Sequence, residues 1–190
     1  MKLEKNITIV MAHPDDEIIF GFGVLPYTKK IIICSNDRLN WKKEVWMNRC
    51  RAFEQVGKIL NIEVISLDNN SDFYALEGEK MNILKKSIFS LIEKETVIFT
   101  HNAWGEYGHK DHIFVHNFAK EIKKEVLVSN IMITDDYTRF TTFELPPILD
   151  YLEVTNDLET YFKCENIYKN WRVWTWNQPP IKTAKIYYDK

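Results

Sequence analysis

Short apolar runs separated by longer amphipathic stretches set the pattern of this chain. The runs are Ile7–Ala12, Ile31–Cys34, Glu63–Leu67, Thr96–Thr100 and Val126–Ile133. They are rich in β-branched residues and nearly continuous, as strands buried on both faces of a sheet must be. Between them, Trp41–Leu60 is the longest helix-like stretch. Lys80–Glu93 places Met81, Leu84, Ile88 and Ile92 at three- and four-residue spacing, and Asp111–Lys123 repeats this with Ile113, Phe114, Phe118 and Ile122. Alternating strands and helices predict an α/β fold, with a mainly parallel sheet covered by helices on both faces. Asn69–Asp72 and Thr100–Gly108 have the composition of loops. After Leu145-Pro146-Pro147 the pattern changes. Thr155–Tyr168 reads as a helix, Trp171, Trp174 and Trp176 follow, and Pro179-Pro180 interrupts an irregular or edge-strand tail. The expectation is a single domain, with a core of about residues 5–145 and a short C-terminal appendage of about 146–190.

Composition narrows the function classes. At 190 residues, 45% hydrophobic and 27% charged, the chain suits one well-buried domain and not a disordered one. A net charge of −2 gives no bulk attraction to nucleic acid or to an anionic membrane, so no nucleic-acid partner is expected. No apolar run approaches the roughly 20 residues of a membrane span. Met1–Asn6 lacks the apolar region of a signal peptide, which makes a cytoplasmic location the expectation. Cys34, Cys50 and Cys164 form no CxxC pair and read as free, mostly buried thiols in a reducing compartment.

The candidate chemistry lies where two of the apolar runs end. His13-Pro14-Asp15-Asp16-Glu17 directly follows the first run and gathers one imidazole and three carboxylates. Pro14 fixes its own φ and biases His13 away from helical geometry, so the turn can aim His13 and Asp16 at one point. Gly108-His109-Lys110-Asp111-His112 adds two imidazoles at the same three-residue offset, which at a helix start places them on one face. Singly, each cluster has an ordinary reading, since a lone histidine is usually a surface or core residue and Asp-Asp-Glu is often a helix cap. Together, at two strand ends of an α/β chain, they point to a divalent metal and a metal-dependent hydrolase. His101 and His116 lack comparable support; His101 reads as a loop residue and His116 as a helix-face residue. The tail tryptophans suit either packing or stacking on sugar rings.

Ala12-His13-Pro14-Asp15-Asp16-Glu17, with Thr100-His101-Asn102-Ala103-Trp104-Gly105-Glu106-Tyr107-Gly108-His109-Lys110-Asp111-His112 downstream, resembles the PIG-L/LmbE-like family of zinc-dependent N-deacetylases. The resemblance covers the N-terminal two-thirds and implies a Rossmann-like fold. It implies removal of an N-acetyl group from an N-acetylglucosamine-type amino-sugar conjugate. By motif position, His13, Asp16 and His112 would bind zinc, with Asp15 the general base on the activated water and His109 the partner of the oxyanion. Asp111 would orient an imidazole, and Arg49 and Asp72 fall near substrate-contacting positions. Lys110 stands where the family usually has proline, and Ser35-Asn36-Asp37 where it usually has a Thr-Gly turn. Ferrous iron is the alternative to zinc, because both accept imidazole and carboxylate donors. The competing functions are hydrolysis of a non-sugar amide and non-catalytic sugar binding. Oligomeric state is left open, a homo-oligomer included.

Overall fold

The structure, a computed structural model, describes residues 2–3, 6–35, 42–67, 73–134, 137–147, 149–176 and 178–190. Its first half runs β1 (Ile7–Met11), α1 (Asp16–Ile19), β2 (Thr28–Ile33), α2 (Lys43–Leu60), β3 (Glu63–Ser66), α3 (Gly78–Leu91) and β4 (Val97–Thr100). The second half runs α4 (Gly105–Gly108), α5 (Lys110–Ile122), β5 (Val126–Ser129), β6 (Ile131–Ile133), β7 (Phe140–Thr142), β8 (Tyr151–Thr155), α6 (Leu158–Asn170) and β9 (Thr183–Asp189).

Among the described residues, seven strands form one sheet in the order β3-β2-β1-β4-β5-β9-β8, and β6 and β7 form a separate hairpin. The first five strands of that order are mutually parallel, while β9 runs antiparallel to both β5 and β8. The chain lays β2 and β3 to one side of β1 and then returns to lay β4 and β5 on the other. The reversal leaves a crevice outside the carboxyl ends of β1 and β4, the position where open α/β sheets bind ligands.

Alternation along the strands divides the core between two faces. Ile7, Ile9, Met11, Ile31, Ile33 and Phe99 pack on the side of α1 and α2 with Ile19, Phe20 and Phe53. Val10, Ala12, Ile32 and Ile98 point the other way, onto Leu84 and Ile88 of α3 and Val115 and Phe118 of α5. With both faces covered, every residue of β1 is buried.

The elements depart from the sequence pattern in specific places. The run Val126–Ile133 breaks at Asn130, whose side-chain amide donates to the Phe143 carbonyl at 2.7 Å and whose Oδ1 accepts from Lys185 N at 2.8 Å. Those bonds turn the chain out of the main sheet and into the hairpin. α6 begins at Leu158, later than expected, because Thr155 belongs to β8 and Asp157 caps the helix through Glu159 N and Thr160 N. Residues 146–190, expected as an appendage, supply two strands of the main sheet, and α6 packs on α2 through Tyr161, Cys164 and Tyr168 against Ala52 and Val56. The tail strand β9 is interior and not at an edge; β8 takes the edge.

Candidate active site

β1 delivers His13 and β4 delivers His101 to the crevice, and the two strand ends are tied together there. Thr100 Oγ1 donates to the Val10 carbonyl at 2.9 Å, and the Ala12 amide donates to His101 Nε2 at 3.0 Å. After His13 the backbone turns sharply. Asp15 takes φ 96°, uncommon for a residue with a side chain, and becomes the N-terminal cap of α1. The turn is held by His13 N donating to Asp16 Oδ2 at 2.8 Å and by Asp15 N donating to Glu17 Oε2 at 2.9 Å.

The second cluster is built by the loop between β4 and α5. Asn102 Oδ1 accepts from Trp104 N and Glu106 N, each at 3.1 Å, and Asn102 Nδ2 anchors the loop to the Ile131 carbonyl at 2.8 Å. Gly105 adopts φ 61°, and a Cβ there would lie 2.8 Å from Ile113 Cγ1, so the loop needs glycine at this point. Glu106 follows at φ 58°, and the strained turn drives its carboxylate inward. His109 caps α5, which places His112 one turn in.

The side chains converge on Asp16. Its Oδ2 lies 3.4 Å from His13 Nδ1, 3.5 Å from His112 Nε2 and 3.4 Å from His101 Nε2. The far nitrogens of His13 and His112 are each held by a buried carboxylate. His13 Nε2 is 3.2 Å from Asp111 Oδ2, and His112 Nδ1 is 2.7 Å from Glu106 Oε2. Asp111 is fixed in turn by Tyr74 N at 3.2 Å. His101 stacks on His112 with ring centres 3.8 Å apart, and Glu106 Oε2 also takes His101 Nδ1 at 2.9 Å.

Charge states follow from these contacts. Burial opposes ionisation of Asp16, but the imidazoles of His112, His101 and His13 hold its carboxyl well below the usual range. Burial and the neighbouring His101 push the His112 pKa down to about 4, so its ring is neutral. With Nδ1–H donating to Glu106, its Nε2 lone pair faces Asp16 and the crevice. Glu106 is itself buried, yet His101 and His112 bring its pKa down to about 2. Burial opposes a charge on His101, while the carboxylates of Glu106 and Asp16 favour one and pull its pKa upward. The Ala12 amide donating into Nε2 nevertheless requires a lone pair there, since two N–H groups do not face each other at 3.0 Å. His101 in this arrangement is therefore neutral, with its hydrogen on Nδ1 and Nε2 already engaged.

The donor set fits a divalent cation. A tetrahedral ion with bonds of roughly 2.0–2.2 Å separates its ligand atoms by roughly 3.4 Å. The spacings from Asp16 to His13 and His112 are 3.4 and 3.5 Å. Among the described residues, two overlapping groups can hold such an ion, His13 with His109 and His112, and Asp16 with His101 and His112. Carboxylates behind imidazoles are the usual outer support of a metal site.

His13, Asp16, His109, His112 and Asp111 thus come together, with Asp15 beside them. Lys110 points elsewhere, its ammonium 5.1 Å over the Tyr74 ring. Arg49 is buried, donates to the Pro14 carbonyl at 2.7 Å and lies 3.6 Å from Asp15 Oδ1. Asp72, Asn36 and Asp37 lie outside the described residues. Trp174 packs on Tyr161 and Tyr168, Trp176 packs on Phe140, and Trp171 donates to Gln55 Oε1 at 3.1 Å. His101 and Glu106 were missed as members of the cluster. The available signal for His101 was its place immediately after β4, matching the place of His13 after β1. Tyr107, packed edge-on to His109 and His112, and the exposed Tyr137 beside it form an aromatic flank.

The sequence model of the PIG-L family, described as GlcNAc-PI de-N-acetylase, matches residues 8–123. An uncharacterised protein of Acanthamoeba polyphaga mimivirus is 25% identical over 132 residues, covering 60% of this chain and 56% of that protein. The chain therefore spans little more than half the length of that curated relative. Among solved structures, the deacetylase of an antimicrobial pseudoaglycone is 12% identical with a TM-score of 0.63, covering 97% of this chain and 96% of its own. The N,N'-diacetylchitobiose deacetylase of Pyrococcus horikoshii is 13% identical with a TM-score of 0.58, covering 90% and 73%. The 4-carboxy-2-hydroxymuconate hydratase of Pseudomonas putida is 12% identical with a TM-score of 0.59, covering 100% and 97%. At such identities the likeness is one of fold, and a hydratase among these structures means that the fold alone does not choose the reaction.

Proposed function

The chain belongs to the PIG-L family, and from that premise we propose that it removes the N-acetyl group from an N-acetylglucosamine-type amino-sugar conjugate. In this reading zinc is held by His13, Asp16 and His112. The observation that carries it is the placement of Asp16 Oδ2 at 3.4 and 3.5 Å from the near nitrogens of His13 and His112, whose far nitrogens meet Asp111 and Glu106. When bound, zinc supplies Lewis-acid activation of water and polarisation of the acetamide carbonyl.

The chain's own residues do the proton work. Burial raises the Asp15 pKa to about 6 against the opposing pull of Arg49, which leaves a carboxylate that is ionised at neutral pH and still basic enough to take a proton from water. Asp15 then returns that proton to the departing amine nitrogen as the amide C–N bond breaks, leaving acetate and a free amino sugar. His109 has its tautomer set by the Asp111 amide, which donates to Nδ1 at 3.2 Å. Its hydrogen is therefore on Nε2, and burial together with His13 lowers its pKa. A neutral His109 donates from Nε2 to the oxygen of the tetrahedral carbon. The flank formed by Tyr107 and Tyr137 suits the apolar face of a sugar ring.

The test is amine release by the zinc-replete protein from a panel of N-acetylglucosamine conjugates, with Asp15→Asn as control. The variant should keep its zinc and lose about 100-fold or more in turnover, the contribution of a general base. Wild-type turnover in Asp15→Asn removes Asp15 from this role. Release from non-sugar acetamides alone replaces the sugar reading with a general amide hydrolase.

A further inference from the structure

Asp15 is gripped by a residue 160 positions further along the chain. The Thr175 backbone N–H donates to Asp15 Oδ2 at 3.3 Å, and the Thr175 hydroxyl donates to the same oxygen. The other oxygen, Oδ1, faces Arg49 Nη2 at 3.6 Å. Thr175 sits on a firmly seated segment. Val173 is buried and its amide donates to the Tyr168 carbonyl at 3.0 Å, while the flanking rings of Trp174 and Trp176 pack on Tyr168 and Phe140. The tether therefore comes from the α6–β9 connection, outside both histidine motifs.

A carboxylate next to a metal site needs such a restraint. Asp15 and Asp16 are neighbours, and a free carboxylate beside a zinc ion is itself a good ligand. A carboxylate that coordinates the ion has given up the lone pair with which it would accept a proton. Two donors from Thr175 occupy Oδ2 and fix the side-chain torsions, leaving Oδ1 as the oxygen that can accept. We infer that Thr175 is a positioning residue that holds Asp15 off the metal ion and thereby preserves it as a base. The inference rests on the ligand set and base assigned under the proposed function.

The test uses the full chain loaded with cobalt(II) for spectroscopy and with zinc for chelator competition. Thr175 is exposed at its side chain, so Thr175→Val is compatible with the fold. In that variant Asp15 swings onto the ion. The cobalt absorption weakens as the coordination number rises, and zinc is held about tenfold more tightly, the gain expected from one added ligand contact of about 1.4 kcal/mol. Thr175→Ser keeps the hydroxyl and the wild-type spectrum. Introducing Asp15→Asn into Thr175→Val abolishes both changes, because no carboxylate remains to move. A Thr175→Val protein with wild-type spectrum and affinity overturns the inference, as does a change that persists in the double variant. Failure of the base assignment is seen separately, as amine release that survives Asp15→Asn alone.

Discussion

Replacing Glu17 by glutamine should remove a large pH dependence from the stability of this protein. Glu17 is 0% exposed, with Oε2 accepting from Asp15 N at 2.9 Å and Oε1 meeting the Tyr168 hydroxyl. Burial pushes its pKa from 4.5 up to about 8, against the downward pull of the Tyr168 hydrogen bond and with an added push from Asp15. Between those two values the folded protein keeps a proton that the unfolded chain has released. Stability from this group is therefore complete below pH 4.5 and is lost as the pH rises through about 8. At about 1.4 kcal/mol per pH unit the loss has a ceiling of about 5 kcal/mol, comparable to the whole stability of a marginal domain, which begins at about 5 kcal/mol. Glutamine mimics the protonated side chain, its oxygen accepting from Asp15 N and its amide donating to Tyr168 Oη. Urea unfolding midpoints of the two proteins, measured with a chelator from about pH 5 to about pH 9, report the difference. The variant and wild type should match at the acid end, with the variant increasingly favoured toward the alkaline end. Asp15 is also raised, to about 6, but contributes equally to both proteins. Parallel curves, with a constant difference at every pH, would refute the reasoning.

Three further outcomes are expected. His112→Ala should lose zinc on dialysis, read as a stoichiometry well below one per chain by elemental analysis; full retention would remove His112 from the ligand set. Glu106→Gln removes the negative charge behind His101 and His112, whose Nδ1 hydrogens share Oε2, and sets the new NH2 group against either those hydrogens or the Asn102 amide, so zinc affinity should fall about 10- to 100-fold in a chelator competition. Gly23→Ala would put a Cβ 2.3 Å from Val154 Cγ2, forcing the α1–β2 connection away from β8. Its denaturant midpoint should correspond to a loss of about 1–3 kcal/mol, partly recovered by adding Val154→Ala.

What the sequence made legible follows the reach of each interaction. β1, β2 and β4 could be read directly because their buried residues lie in local apolar runs such as Ile7–Met11, and the edge strand β3, with no fully buried residue, was still marked by Val64-Ile65. β8 and β9 could not. Tyr151–Thr155 has only Val154 fully buried, and its status as a strand comes from pairing with β9, roughly thirty residues away. The break at Asn130 depends on Lys185 and Phe143, again distant partners.

The same rule sorts the site. His13 with Asp16 and His109 with His112 are pairs at short offsets beside strand ends, so their convergence is written into the local sequence. Glu106 faces His101 and His112 only because Asn102 and Gly105 bend the loop into a left-handed turn. Asp15 illustrates the limit most sharply. Its motif names a carboxylate next to a metal site, but three groups decide how that carboxylate is held. Arg49 reaches it from α2, Thr175 grips it from the α6–β9 connection, and Tyr168 steadies the Asp15 backbone amide from α6 through Glu17. The motif supplies the reacting groups. In the proposed mechanism, which of two adjacent carboxylates becomes ligand and which stays free to take a proton depends on side chains that arrive only when the C-terminal third folds back onto the sheet.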